Sequence, residues 1–158
     1  MLDDLDRIAW DSKARPNSDN ARSVPEALRR IGAADSSEAA KRSYHAFLYA
    51  IGNNHAGSYY PVVLDTVPFL ASMLDSSNPW ARATVLDILI DLVGSFGPEQ
   101  GYETFERPSR SRASVRTVLE ESIVGLLPTV EGMVGDSKND SRTRELARHL
   151  LELITDVS

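Results

Sequence analysis

The sequence predicts an all-α fold, a curved stack of about three helical hairpins with an N-terminal capping arm. Three observations predict it. Apolar residues recur at spacings of three and four, whereas alternation with period two is scarce. Short apolar segments marked by Pro25, Pro68 and Pro128 each precede a longer apolar helix. Those longer helices align in register: Phe47, Leu89 and Leu150 coincide, as do Ile51, Val93 and Ile154, and Tyr44, Leu86 and Ala147.

Each element has its own justification. Residues 1–23 form the arm, and "VPEALRRIG" predicts a helix over 24–32. The next spans 36–52, with Ser36 or Ser37 as cap, Ala40, Tyr44, Phe47 and Ile51 on one face, and Gly52 as stop. Asn53 to Ser58 make the turn, and Pro61 opens a helix over 60–75. Pro68 lies inside it and predicts a bend at 64–68, because proline lacks a donor and clashes with the Leu64 carbonyl. The clearest helix is 78–96: Asn78 caps, Pro79 takes the first position, and Val85, Leu86, Leu89, Leu92, Val93 and Phe96 form a wide apolar face. A segment rich in Gly, Pro, Ser and charge then reads as an inserted loop over 97–112. Helices over 113–135 and 140–155 complete the chain, with Pro128 predicting a bend after Val124 and Asp140 or Ser141 capping the last.

The repeat interval is 42 residues, then 61. Without the insert the second falls to about 44, within the 40–47 range of one class of helical repeat. "VPFLASMLDSSNPWARATVLDILIDLV" resembles a HEAT repeat, with Pro68, Asp75, Pro79 and Arg82 at the family positions. The third unit matches at Pro128, Asp136 and Arg142; the first keeps Pro25 and Asp35 but has Ala40 in place of the arginine, as a terminal repeat does. On this reading 24–52, 60–96 and 113–155 are the repeats of one domain. "AWDSKA" with Trp10 and Ser12, and "NNHAGSYYPVVLDTVPFL" with His55, Gly57, Tyr60 and Pro61, are similar to small bacterial HEAT-like proteins. That resemblance implies a protein-binding role, in some members as immunity proteins that neutralise toxins. The HEAT-like DNA glycosylases, or a scaffold subunit, are the alternatives it leaves.

Composition narrows the class. The 158 residues include no cysteine, which removes disulfides and thiolate metal sites. Acids at the N-terminus are not what a secretory signal needs, and no apolar run reaches the length of a membrane span, so a cytoplasmic protein is expected. Net charge is −6, and residues 65 to 106 carry seven acids against the one base Arg82. An acidic middle argues against a nucleic-acid groove and suits a basic protein partner.

No catalytic constellation stands out. The histidines, 45, 55 and 149, lack metal-binding spacing, and no nucleophile elbow, phosphate loop or dinucleotide fingerprint occurs. Neither catalysis, metal nor cofactor is expected. Asp87 and Asp91 share a helix face, a spacing that suits acid–base work or a cation but more often belongs to solvated charges. As partner-binding residues the sequence offers Trp80, Thr84, Asp87 and Asp91, placed opposite the apolar face of helix 78–96. The same register selects Glu38, Arg42, His45 and Tyr49 on 36–52, and Ser141, Glu145, Arg148 and Glu152 on 140–155. If the second helices line the concave side, these form one acidic, aromatic-bearing surface. The insert adds Tyr102, Glu103 and Arg107, and His55 is expected to hold the corner by hydrogen bonds.

Overall fold

The computed structural model describes residues 2–16 and 22–158. Residues 1 and 17–21 of the expected arm lie outside the described residues. Among the described residues there are seven α-helices: α1 Ser23–Ala33, α2 Ser37–Ile51, α3 Val63–Leu74, α4 Pro79–Gly94, α5 Val115–Val124, α6 Leu127–Gly135 and α7 Ser141–Val157. Two 3-10 turns, Leu2–Arg7 and Trp10–Ser12, precede them.

Side-chain caps fix where the longer helices begin. Ser36 accepts from the Ala39 amide at 3.1 Å, and Asp140 accepts from the Thr143 amide at 2.7 Å. Asn78 accepts from the amides of Trp80 and Ala81, while its Nδ2 donates to the Gly32 and Ala34 carbonyls at 3.1 and 2.8 Å. One side chain therefore starts α4 and closes the end of α1. Arg82 adds a third tie, donating to the Ser76 carbonyl at 2.6 Å across the α3–α4 turn.

The fold is predominantly helical, with differences from expectation at the joints. The expected helix over 113–135 is two, α5 and α6, separated at Gly125–Leu126. Pro128 has no amide to give the Val124 carbonyl and its ring crowds that turn, so the break falls where the bend was expected. Helix α3 starts at Val63 and runs unbroken through Pro68, which is exposed. The connections also hold short strands that an all-α reading omits: β1 Gly52–Asn53, β2 Ser58–Tyr59, β3 Gly97–Pro98, β4 Thr104–Glu106 and β5 Arg112–Ser114. β2 pairs antiparallel with β1 and parallel with β3, and β4 pairs antiparallel with β5. The segment expected as an inserted loop is thus a strand followed by a hairpin.

Helices pack both on their sequence neighbours and across the chain. Helix α1 lies on α2, α3 on α4, and α6 on α7; α2 and α7 flank α4, while α1 and α5 flank α3. Two of the sets aligned across the longer helices form the centre: Phe47, Leu89, Leu150 and Ile51 are fully buried, and Val93 and Ile154 nearly so. Helix α4 is covered on most sides, burying Ala81, Thr84, Val85, Leu86, Ile88, Leu89, Leu92 and Val93. The arm docks through Leu5 and Trp10. Trp10 Nε1 donates to the Leu5 carbonyl at 2.8 Å, its ring lies 6.4 Å from that of Phe69, and Lys13 pairs with Asp65 at 2.9 Å. Among the described residues no helix is long and apolar enough to cross a membrane.

Candidate functional site

A pocket of about 510 Å³ opens where α2, α4 and the start of α7 meet. Helix α4 supplies Trp80, Thr84, Asp87, Ile90 and Asp91; α2 supplies Lys41, Tyr44 and His45; and Asp140 with Arg142 closes it from the start of α7. Flanking of α4 by both neighbours puts the three helices at one opening. Its size falls within the range of small-ligand and side-chain pockets.

The carboxylates at its centre are already partly engaged. Asp87 Oδ2 accepts from Arg142 at 3.1 Å, and Asp91 Oδ2 accepts a short hydrogen bond from the Tyr44 hydroxyl. Burial pushes the Asp87 carboxyl above its usual range, opposed by the Arg142 guanidinium and reinforced by the neighbouring Asp91 charge. Burial likewise raises the Tyr44 phenol, and its hydrogen bond and proximity to Asp91 raise it further. The phenol therefore stays protonated and donates. The Tyr44 ring meets His45 edge-on at 5.0 Å, and His45 Nδ1 lies 3.1 Å from Asn54 Nδ2. The His45–Asn54 contact ties the pocket wall to the α2–α3 corner.

A pH test follows from Asp87. Its folded value is raised, so it contributes stability fully below the unfolded carboxyl value of about 3.9 and loses that contribution as pH rises through the folded value. Asp87→Asn is accordingly expected to leave the melting temperature at pH 7 unchanged or higher, although it breaks the ion pair with Arg142. Toward pH 3 variant and parent should converge. Paired thermal melts at the two pH values check this, and a fall of more than about 2 °C at pH 7 contradicts it.

Of the residues selected from sequence, His45, Trp80, Thr84, Asp87 and Asp91 do meet at the pocket. The single continuous surface does not form. Thr84 is 3% exposed, and its hydroxyl donates to the Trp80 carbonyl at 2.7 Å, because α4 is walled on both sides rather than along one face. A hydroxyl bonded to its own helix is no contact for a partner. Glu38 and Arg42 form an exposed pair at 3.9 Å, away from the pocket lining. Tyr49 turns to the corner instead, its hydroxyl 2.6 Å from His55 Nε2, and lines a separate groove with Glu26, Arg30 and Glu99. Ser141, Glu145, Arg148 and Glu152 are exposed on α7, outside the pocket lining.

The insert residues stand apart as well. Tyr102 packs against Tyr60 with the rings tilted by 44° and their centroids 4.6 Å apart, and Glu103 accepts from the Gly101 amide at 3.1 Å. Bonds from backbone amides hold the Glu103 carboxyl below its usual range. The Arg107 amide donates to the Ser111 carbonyl at 2.8 Å within the hairpin turn, and its side chain is exposed.

Sequence reasoning missed Tyr44, Lys41 and Arg142 as pocket residues. Tyr44 was expected on the apolar face and Arg142 at a repeat position; the signal for both was the carboxylate on the neighbouring helix, one repeat away. Among the described residues no cluster of metal-binding side chains occurs. No family model, no curated protein and no solved structure matches the chain.

Proposed function

We propose that the chain is a non-catalytic protein-binding module, a curved stack of three HEAT-like hairpins whose α2–α4–α7 side masks a basic toxin domain, as an immunity protein does. The observation that carries the reading is the pocket itself: an aromatic wall from Trp80 beside two carboxylates, on the most acidic stretch of the chain. Half-buried aromatics and desolvated charges are what anchor protein interfaces. The pairing of helices in sequence order, with each longer helix touching the next, is what a hairpin stack requires. The sequence resemblance supplies the toxin.

Co-expression with the product of the adjacent gene, followed by affinity capture and a growth-rescue assay, tests it. Capture and rescue are expected for the parent chain. Asp87→Lys/Asp91→Lys is expected to weaken the complex about 100-fold, since close charge pairs at interfaces couple by several kcal/mol and reversal makes them repel. Binding of duplex DNA at physiological salt, about 0.15 M, would instead identify a nucleic-acid protein and overturn the proposal.

A further inference from the structure

We propose that the pocket receives one arginine side chain of the partner, its guanidinium bridging Asp87 and Asp91 and its stem lying along Trp80. This deepens the protein-binding reading above and rests on it. Each carboxylate has one oxygen engaged, Asp87 Oδ2 by Arg142 and Asp91 Oδ2 by Tyr44. The Oδ1 of each has no hydrogen-bond partner among the described residues. The two acceptors stand one helical turn apart, on the same face of α4. A guanidinium presents five donors in a planar fork and can reach two such carboxylates at once, whereas an ammonium acts as a point charge.

The rest of the lining suits the rest of that side chain. Trp80 offers an indole, on which a guanidinium or its stem stacks favourably. Ala83 and Ile90 provide apolar wall for methylenes. The volume, about 510 Å³, leaves room for the side chain with water around its head. The chain's own cations leave the place open. Arg142 reaches only Asp87, and Lys41 lines the pocket without an ion pair among the described residues. Lys41 opposes any cation that enters, which gives the proposal a test of opposite sign.

The probe is N-acetyl-arginine-N′-methylamide, titrated against the intact protein while the tryptophan indole resonances are followed by NMR. The chain has two tryptophans and Trp10 is buried, so Trp80 reports on the pocket. A saturable shift of the Trp80 indole is expected, with the lysine analogue at least about 5-fold weaker. Asp91→Asn, which still accepts from Tyr44, should weaken the arginine probe about 5-fold, and Lys41→Gln should tighten it about 2-fold. Absence of a saturable shift, equal response to both probes, or indifference to Asp91→Asn overturns the proposal. So does a concentration-dependent dimer abolished by Arg110→Gln, because the occupant would then be the exposed hairpin of a second copy. Capture of the protein partner unaffected by Asp91→Asn discards the arginine and leaves the protein-binding reading intact. A specific arginine response in a chain that captures no partner upholds the pocket chemistry and removes the reading beneath it.

Discussion

Gly52→Ala is expected to destabilise the fold by about 3 kcal/mol or more. A Cβ at this position would overlap the Ser58 carbonyl oxygen and come within 2.7 Å of the Ser58 carbonyl carbon and 2.8 Å of Tyr59 Cα. These are backbone atoms held by the β1–β2 pair, and they cannot swing aside as a side-chain tip does. The contrast with other glycines is instructive. At Gly32 and Gly97 an added Cβ would crowd just the ends of the Leu2 and Arg116 side chains, at 2.8 and 2.9 Å, and these have freedom to move. Opening the corner would lengthen the 2.7 Å bond from the Tyr60 amide to the Ile51 carbonyl and disturb Tyr59, which is 1% exposed. Urea unfolding at 25 °C measures the loss, and a change below about 1 kcal/mol would show that the corner yields.

Asn78→Ala should cost nearly as much, about 3 kcal/mol, lowering the melting temperature by about 9 °C. The helix cap accounts for about 1 kcal/mol of it. The remainder comes from the Gly32 and Ala34 carbonyls at the end of α1, each losing its side-chain donor. Asn78→Ser separates the two roles, since a serine hydroxyl caps α4 but has no second arm to donate to the Gly32 and Ala34 carbonyls. It should fall between parent and alanine variant. If serine matches the parent, the ties to α1 contribute nothing to stability.

Most of the helical framework was legible because its punctuation is local. Ser36, Asn78 and Asp140 announce helix starts through bonds to amides two or three residues on, Pro79 does so through its fixed backbone angle, and Gly52 announces an end. The alignment of Phe47, Leu89 and Leu150 likewise reflects one face meeting one core. The short strands left no trace, because two- and three-residue pairings have no room for an alternating pattern. The site was half legible. Periodicity finds which residues share a face of one helix, hence Trp80, Asp87 and Asp91. It does not say how many neighbours cover that helix, and so it left Thr84 at the surface. Nor does it see that a tyrosine can pack its ring against the core and still reach a carboxylate with its hydroxyl, as the half-buried Tyr44 does.

The parallel pairing of Ser58 with Gly97 and Tyr59 with Pro98 brings the entrance of the α3–α4 hairpin beside its exit. The Gly97 amide donates to the Gly57 carbonyl at 2.9 Å and the Glu99 amide to the Tyr59 carbonyl at 2.8 Å, while the Ser58 hydroxyl bonds to the Glu99 carboxylate. The chain therefore leaves this unit where it came in. The unit is thus closed by its own backbone before any neighbour touches it. The arm, docked on α3 through Trp10 and Lys13, and α7, packed on α4, then grip that closed loop of chain from two directions, so loosening the clasp would slacken both grips at once.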